Sequence, residues 1–140
     1  MTDNVTKLAR LVLADDHAAM LARTAGLLED EFEIAGTVGN GLDLLETVAQ
    51  LDPDVVVLDI TMPGLDGIQA ARRLQRSGCR AKLVFLTVHD DPDYVRAAME
   101  AGGTAFVVKA QLVSDLVTAI HAALSDQHFI SPSLHLDYTP

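Results

Sequence analysis

The chain has 140 residues, 49% hydrophobic and 21% charged, which is the size and composition of one globular domain. Its 20 acidic and 10 basic residues give a net charge of −10, which argues against direct binding to the phosphate backbone of nucleic acid. No apolar run approaches the roughly 20 residues that span a membrane, and the polar N-terminus shows no signal-peptide pattern. The single cysteine, Cys79, cannot form an internal disulfide, so we expect a cytoplasmic protein without a membrane partner.

Strand-like and helix-like segments alternate five times along the chain. Short apolar runs are followed by segments of helical period, and Asn40-Gly41 and Asp91-Pro92 are typical of helix starts. This alternation predicts an α/β fold, with a doubly wound parallel sheet of five strands and five helices on its two faces. Strands are expected at residues 8–14, 32–38, 55–58, 81–88 and 104–108, and helices at residues 18–29, 42–49, 68–75, 92–99 and 113–124.

The only boundary signal lies near the end of the chain. After Ser125 the helical period stops, and the segment FISPSLHLDYTP contains two prolines. We therefore predict one domain over residues 1–125 and a linker or tail over residues 126–140.

Acidic residues follow two of the predicted strands. Asp15 and Asp16 follow the first strand, and Asp59 ends the apolar run of the third. Ligands of doubly wound sheets bind outside the carboxyl ends of the strands, so neighbouring strands would bring these three carboxylates together. Crowded carboxylates repel one another unless a cation joins them, and Mg²⁺ prefers oxygen ligands. Helix capping by one acid and a simple turn role for Asp59 are the alternatives, but acids at both strand ends favour a metal site.

Two further strand ends carry groups that suit a phosphoryl ligand. Thr87 lies near the end of the fourth strand and Lys109 follows the fifth. A hydroxyl can donate a hydrogen bond to one phosphoryl oxygen, and an ammonium group can face another. Either residue alone would be unremarkable at the end of a strand.

Four motifs in this order resemble the receiver domain of bacterial two-component response regulators. They are LVLADDH, VVVLDITMPGLDG, LVFLTVHDD and AGGTAFVVKA, and the resemblance covers roughly residues 8–124. It implies a flavodoxin-like fold with strand order 2-1-3-4-5. The DDH and FISPSL segments are similar to the NarL/FixJ class, whose receivers precede a helix-turn-helix DNA-binding domain.

The resemblance also implies roles for the acidic residues. Asp59 would be the phosphoacceptor, attacking a phosphohistidine of a sensor histidine kinase. Asp15 and Asp16 would hold Mg²⁺ together with Asp59 and the backbone carbonyl of Thr61. The chain would be a phosphorylation-activated switch rather than an enzyme, although it would assist its own phosphotransfer and autodephosphorylation.

The remaining matched residues would complete the switch. Thr87 and Lys109 would bind the phosphoryl oxygens, and Phe106 falls at the family's switch aromatic, although a core position is the plain alternative. Phosphorylation would change the face made by the fourth helix, fifth strand and fifth helix, and would allow a homodimer. Ala110 replaces the proline that often follows the family's lysine, so a trans peptide bond is expected there. Transcription would be the output, through a helix-turn-helix domain that these 140 residues do not include.

Other interpretations remain open on the residues alone. The chain is also consistent with a stand-alone receiver that acts through protein partners or a phosphorelay. An aspartate-nucleophile phosphatase is disfavoured because such enzymes usually carry a second acid two residues after the nucleophile, where this chain has Thr61. His17 and His89 are interpreted as ordinary loop histidines, although His17 is placed to line the mouth of the site.

Overall fold

Strands and helices alternate along residues 8–88 and 91–132, which are the residues that the computed structural model describes. The α/β class and the five helices are confirmed, with small shifts at the ends of the elements. The elements are β1 Arg10–Ala14, α1 Ala18–Leu28, β2 Glu33–Val38, α2 Gly41–Leu51, β3 Val55–Asp59, α3 Gly67–Arg76, β4 Lys82–Thr87, α4 Pro92–Glu100, β5 Gly103–Val108, a 3₁₀ turn Lys109–Gln111, α5 Leu112–Leu124 and β6 Phe129–Ile130.

Side-chain caps explain where three helices begin. The side chains of Asn40, Asp66 and Asp91 each accept a hydrogen bond from a backbone N–H in the first turn of α2, α3 and α4. These N–H groups have no partner within the helix, so a cap stabilises each start. Pro92 occupies the first turn of α4, where its missing N–H costs nothing.

The sheet has six parallel strands in the order β2-β1-β3-β4-β5-β6, so the prediction of five strands is wrong by one. In β6, Ile130 pairs with Phe106 of the β5 edge. The Ser131 N–H donates to the Phe106 carbonyl, and the Ser131 hydroxyl accepts from the Val108 N–H at 3.1 Å. Two residues are too few to show a strand period in the sequence. The assignment of residues 126–140 to a linker or tail stays a prediction, and residues 133–140 lie outside the described residues.

The sheet separates two apolar layers. Helices α2, α3 and α4 pack on one face, and α1 and α5 pack on the other. The strand β3 is buried along its whole length, as expected for a central parallel strand. Among the helices of the described residues, none has the length and apolar character needed to cross a membrane.

The buried side of α5 differs from the apolar pattern in the sequence. Leu112, Leu116 and Ile120 are almost fully buried, whereas Val113 is 66% exposed and Leu124 is 37% exposed. Alanines complete the buried row at the helical spacing. The helix is therefore amphipathic, but small residues rather than the larger aliphatic ones fill part of its contact with the sheet.

Candidate functional site

The register of the sheet brings Asp15, Asp59 and Thr87 together at the carboxyl ends of the strands. Ala14 of β1 pairs with Leu58 of β3, so the residues that follow them, Asp15 and Asp59, are neighbours across the two strands. Asp59 in turn pairs with Leu86 of β4, which places Thr87 one position further along. All three side chains belong to buried residues, with Asp15 and Asp59 each 4% exposed.

Lys109 joins the carboxylates at this edge. Its Nζ atom lies 2.8 Å from Asp59 Oδ2 and 3.0 Å from Asp15 Oδ2, and it donates a hydrogen bond to each. The side chain of Lys109 is only 8% exposed, so the ammonium group is removed from water together with its two partners. The ends of β1, β3 and β5 therefore meet in one buried ion-pair network.

One ammonium group does not fully balance the two buried carboxylates. Burial raises the pKa of Asp59, and this exceeds the lowering by Lys109 and the Thr61 N–H, while Asp15 adds a smaller rise. Burial also lowers the pKa of Lys109, but its hydrogen bonds and ion pairs with Asp59 and Asp15 outweigh that effect and raise it overall. Lys109 is therefore held as a cation, whereas the charge on Asp59 is stabilised incompletely.

Asp16 and His17 extend the cluster towards solvent. Asp15, Asp16, His17 and Asp59 each offer a ligand atom, and these atoms lie within 4.8 Å of one another. The three carboxylates and the ammonium of Lys109 leave a formal charge of −2 at the site. An oxygen-rich donor set with this excess charge fits a hard divalent cation such as Mg²⁺.

The loop after Asp59 is held close to the site by Gly67, whose role the sequence reasoning missed. The Thr61 N–H donates to Asp59 Oδ1 at 3.1 Å, and the Gly67 N–H donates to the Ile60 carbonyl at 2.7 Å. A Cβ atom on Gly67 would lie 2.1 Å from the Asp59 carbonyl oxygen, so only glycine permits this approach of α3. The available signal was a glycine directly after the capping residue Asp66.

Phe106 belongs to β5 and is buried in the hydrophobic core rather than exposed at the surface. It pairs with Phe85 of β4, and both rings are fully buried. Thr87 is also fully buried at the end of β4.

The described residues contain no cis peptide bond, which confirms the trans bond expected before Ala110. His89 falls outside the described residues.

Known proteins resemble this chain over most of its length. Residues 11–121 match the family described as the response regulator receiver domain. The transcriptional regulatory protein DesR of Bacillus subtilis is 32% identical over 129 residues, which cover 91% of this chain and 64% of DesR. The chain spans 59% to 64% of the length of this and two other curated relatives.

Two solved structures share the fold closely. A LuxR-family two-component response regulator from Aurantimonas sp. SI85-9A1 has a TM-score of 0.87 and 28% identity, covering 91% of this chain and 93% of that one. The signal receiver domain of the putative response regulator NarL from Mycobacterium tuberculosis has a TM-score of 0.78 and 27% identity. That match covers 86% of this chain and 98% of the NarL domain.

Proposed function

The chain belongs to the response regulator receiver domain family, and we propose that it is a phosphorylation-activated switch of a two-component system. The observation that carries this proposal is the network in which Lys109 joins Asp59 to Asp15 at the carboxyl edge of the sheet. A buried carboxylate at a strand end, beside a fixed ammonium group, suits an acceptor for a phosphoryl group.

The proposed reaction is phosphoryl transfer from a phosphohistidine of a sensor histidine kinase to Asp59. A carboxylate oxygen of Asp59 forms a bond to phosphorus as the phosphorus–nitrogen bond of the phosphohistidine breaks, and the departing imidazole takes up a proton. The product is an acyl phosphate on Asp59. In this proposal the ammonium group of Lys109 would neutralise one phosphoryl oxygen, and the Thr87 hydroxyl would donate a hydrogen bond to another. The same groups would assist hydrolysis of the acyl phosphate by water.

The residues proposed to hold Mg²⁺ are Asp15, Asp16 and Asp59, with the backbone carbonyl of Thr61. When bound, the ion neutralises charge on the carboxylates and on the phosphoryl oxygens. Support comes from the mutual proximity of the carboxylate oxygens and from the excess negative charge that Lys109 leaves.

We propose that the protein is cytoplasmic and that its output is the regulation of transcription. DesR is named a transcriptional regulatory protein, and the Aurantimonas structure is named a two-component response regulator of the LuxR family. We propose that phosphorylation changes the face of α4, β5 and α5, promotes a homodimer and acts on DNA through a helix-turn-helix element outside these 140 residues. Action as a stand-alone receiver, through protein partners or a phosphorelay, is the alternative.

The phosphatase alternative has less support. Its usual second acid would lie two residues after Asp59, where Thr61 has no carboxyl group and contributes a backbone N–H to Asp59 instead. Asp15 lies beside Asp59 at the end of the neighbouring strand, but its carboxylate is already paired with Lys109.

The decisive experiment is phosphorylation by acetyl phosphate with Mg²⁺, followed by intact-mass measurement. The wild-type chain should gain one phosphoryl group, and Asp59→Asn should gain none. Asp30→Asn, which removes an exposed acid in the turn after α1, is the matched control and should behave as wild type. Equal uptake by wild type and Asp59→Asn would overturn the assignment.

A further inference from the structure

His17 lies closer to the acidic cluster than an ordinary loop histidine. Its Nδ1 atom is 3.1 Å from Asp16 Oδ1 and 3.5 Å from Asp15 Oδ1. Its backbone N–H donates to Asp15 Oδ1 at 2.9 Å, which fixes the residue at the entrance to α1. The backbone of His17 is therefore held by a carboxylate of the proposed cation site, and its imidazole lies beside Asp16 of the same site.

The ring nitrogen also lies at ligand spacing from the carboxylates. A ligand atom of His17 and one oxygen each from Asp15, Asp16 and Asp59 lie within 4.8 Å of one another. Ligands of a divalent ion lie about 2.0–2.4 Å from it, so atoms with this mutual spacing can share one ion. The side chain is 72% exposed, so it can adjust its rotamer without disturbing the core.

An imidazole nitrogen changes which ion such a site prefers. Mg²⁺ binds oxygen ligands and keeps several waters, so it gains little from a nitrogen donor. First-row transition-metal ions bind imidazole well, and their affinity for mixed nitrogen and oxygen sites rises along the series from Mn²⁺. A site with carboxylates and one imidazole should thus discriminate between the two kinds of ion.

We propose that His17 is an additional ligand of the cation site and gives it a preference for first-row transition-metal ions, such as Mn²⁺ or Co²⁺, over Mg²⁺. This inference rests on the proposed function, because it uses the same carboxylates. It assigns to this chain a nitrogen ligand that the implied Mg²⁺ set of Asp15, Asp16, Asp59 and the Thr61 carbonyl does not contain.

The test measures metal binding rather than phosphorylation. Isothermal titration calorimetry gives the dissociation constants of Mg²⁺ and Mn²⁺ for wild type, His17→Ala, His17→Gln and Asp16→Ala. Removing a residue that only hydrogen-bonds to a metal ligand lowers metal affinity about tenfold. Both His17 variants should therefore lower the affinity for Mn²⁺ at least that much. Their affinity for Mg²⁺ should change far less. His128→Ala, which removes an exposed histidine remote in sequence from the site, is the control and should leave both constants unchanged.

A spectroscopic measurement reports ligation directly. With Co²⁺, proton NMR of the wild-type chain should show a strongly shifted, exchangeable imidazole N–H signal, which both His17 variants should lack. Suppose that Asp16→Ala weakens the binding of both ions. The ligand assignment of His17 would then be overturned if His17→Ala weakened Mg²⁺ and Mn²⁺ binding equally, or did not weaken Mn²⁺ binding at all. If Asp16→Ala left both ions bound as tightly as in wild type, the proposed cation site itself would be wrong.

Discussion

Gly67 lies so close to the backbone of Asp59 that a Cβ atom there would be 2.1 Å from the Asp59 carbonyl oxygen. The start of α3 is therefore built against the strand end that carries the proposed phosphoacceptor. A side chain at position 67 must push apart two backbone segments, neither of which has a flexible end that can yield.

Gly67→Ala should therefore destabilise the fold by about 1–3 kcal/mol, the usual cost of forcing an extra methyl group into a packed site. It should also slow phosphoryl uptake from acetyl phosphate, because the strain falls on Asp59. Urea unfolding followed by circular dichroism measures the first effect, and intact mass against time measures the second.

Gly26→Ala is the matched control for that change. Gly26 lies within α1, and nothing lies within 4 Å of a Cβ atom built on it. Alanine in a helix is favoured over glycine by about 0.5–1 kcal/mol, so this variant should be slightly more stable. Equal stability of the two variants would contradict the close approach at Gly67.

Lys109→Gln should leave Asp15 and Asp59 buried beside each other without their cation. Breaking a buried ion pair by removing one partner costs about 3–5 kcal/mol, because the remaining charge is uncompensated. Thermal unfolding should show a large loss of stability without divalent cations, and added Mg²⁺ should restore part of it. Lys82→Gln breaks the exposed pair of Lys82 with Asp126 and should change stability by about 1 kcal/mol or less. A loss no larger than that of Lys82→Gln would contradict the buried network.

The sequence was sufficient to place Asp59 because the signal is local. The apolar run of Val55 to Leu58 predicts a buried strand, and the acid directly after it must emerge at the strand end. Lys109 is 50 residues further along the chain, and its contact with Asp59 depends on strand order. Periodicity predicts that both residues lie at strand ends, but the order of the strands came from the family resemblance.

Features that depend on packing were not predictable in this way. The strand β6 has only two residues, and its hydrogen bonds depend on Ser131 reaching the edge of β5. Val113 is as apolar as the buried residues of α5, yet it lies on the solvent side, because the buried row of the helix consists of Leu112, Leu116, Ala119, Ile120 and Ala123. The sequence places His17 at the mouth of the site, but only the fold gives the distance of 3.1 Å between its Nδ1 atom and Asp16 Oδ1.

The isolated chain should not bind DNA specifically, since its net charge of −10 opposes contact with phosphates. A gel-shift assay with the phosphorylated 140-residue chain and a pool of random duplexes should show no retardation at physiological salt. Retardation that depends on sequence and persists as salt is raised would show that the chain reads DNA itself.

Thr87 should couple phosphorylation to the packing around Phe106. The two residues lie on the neighbouring strands β4 and β5, and Phe106 is already fully buried. We therefore expect repacking of a buried ring rather than its withdrawal from solvent.

A ligand can drive such a change only by binding one of two arrangements more tightly, and a shift between clear majorities needs about 5 kcal/mol. The proposed hydrogen bonds from Thr87 and Lys109 to the phosphoryl group would supply part of that difference. Thr87→Ala should accept a phosphoryl group on Asp59 but respond weakly, whereas Thr87→Ser keeps the hydroxyl and should respond like wild type. NMR spectra with and without beryllofluoride, a phosphoryl mimic, measure the response. If Thr87→Ala showed the full wild-type pattern of chemical-shift changes around Phe106 and α4, that result would contradict the coupling.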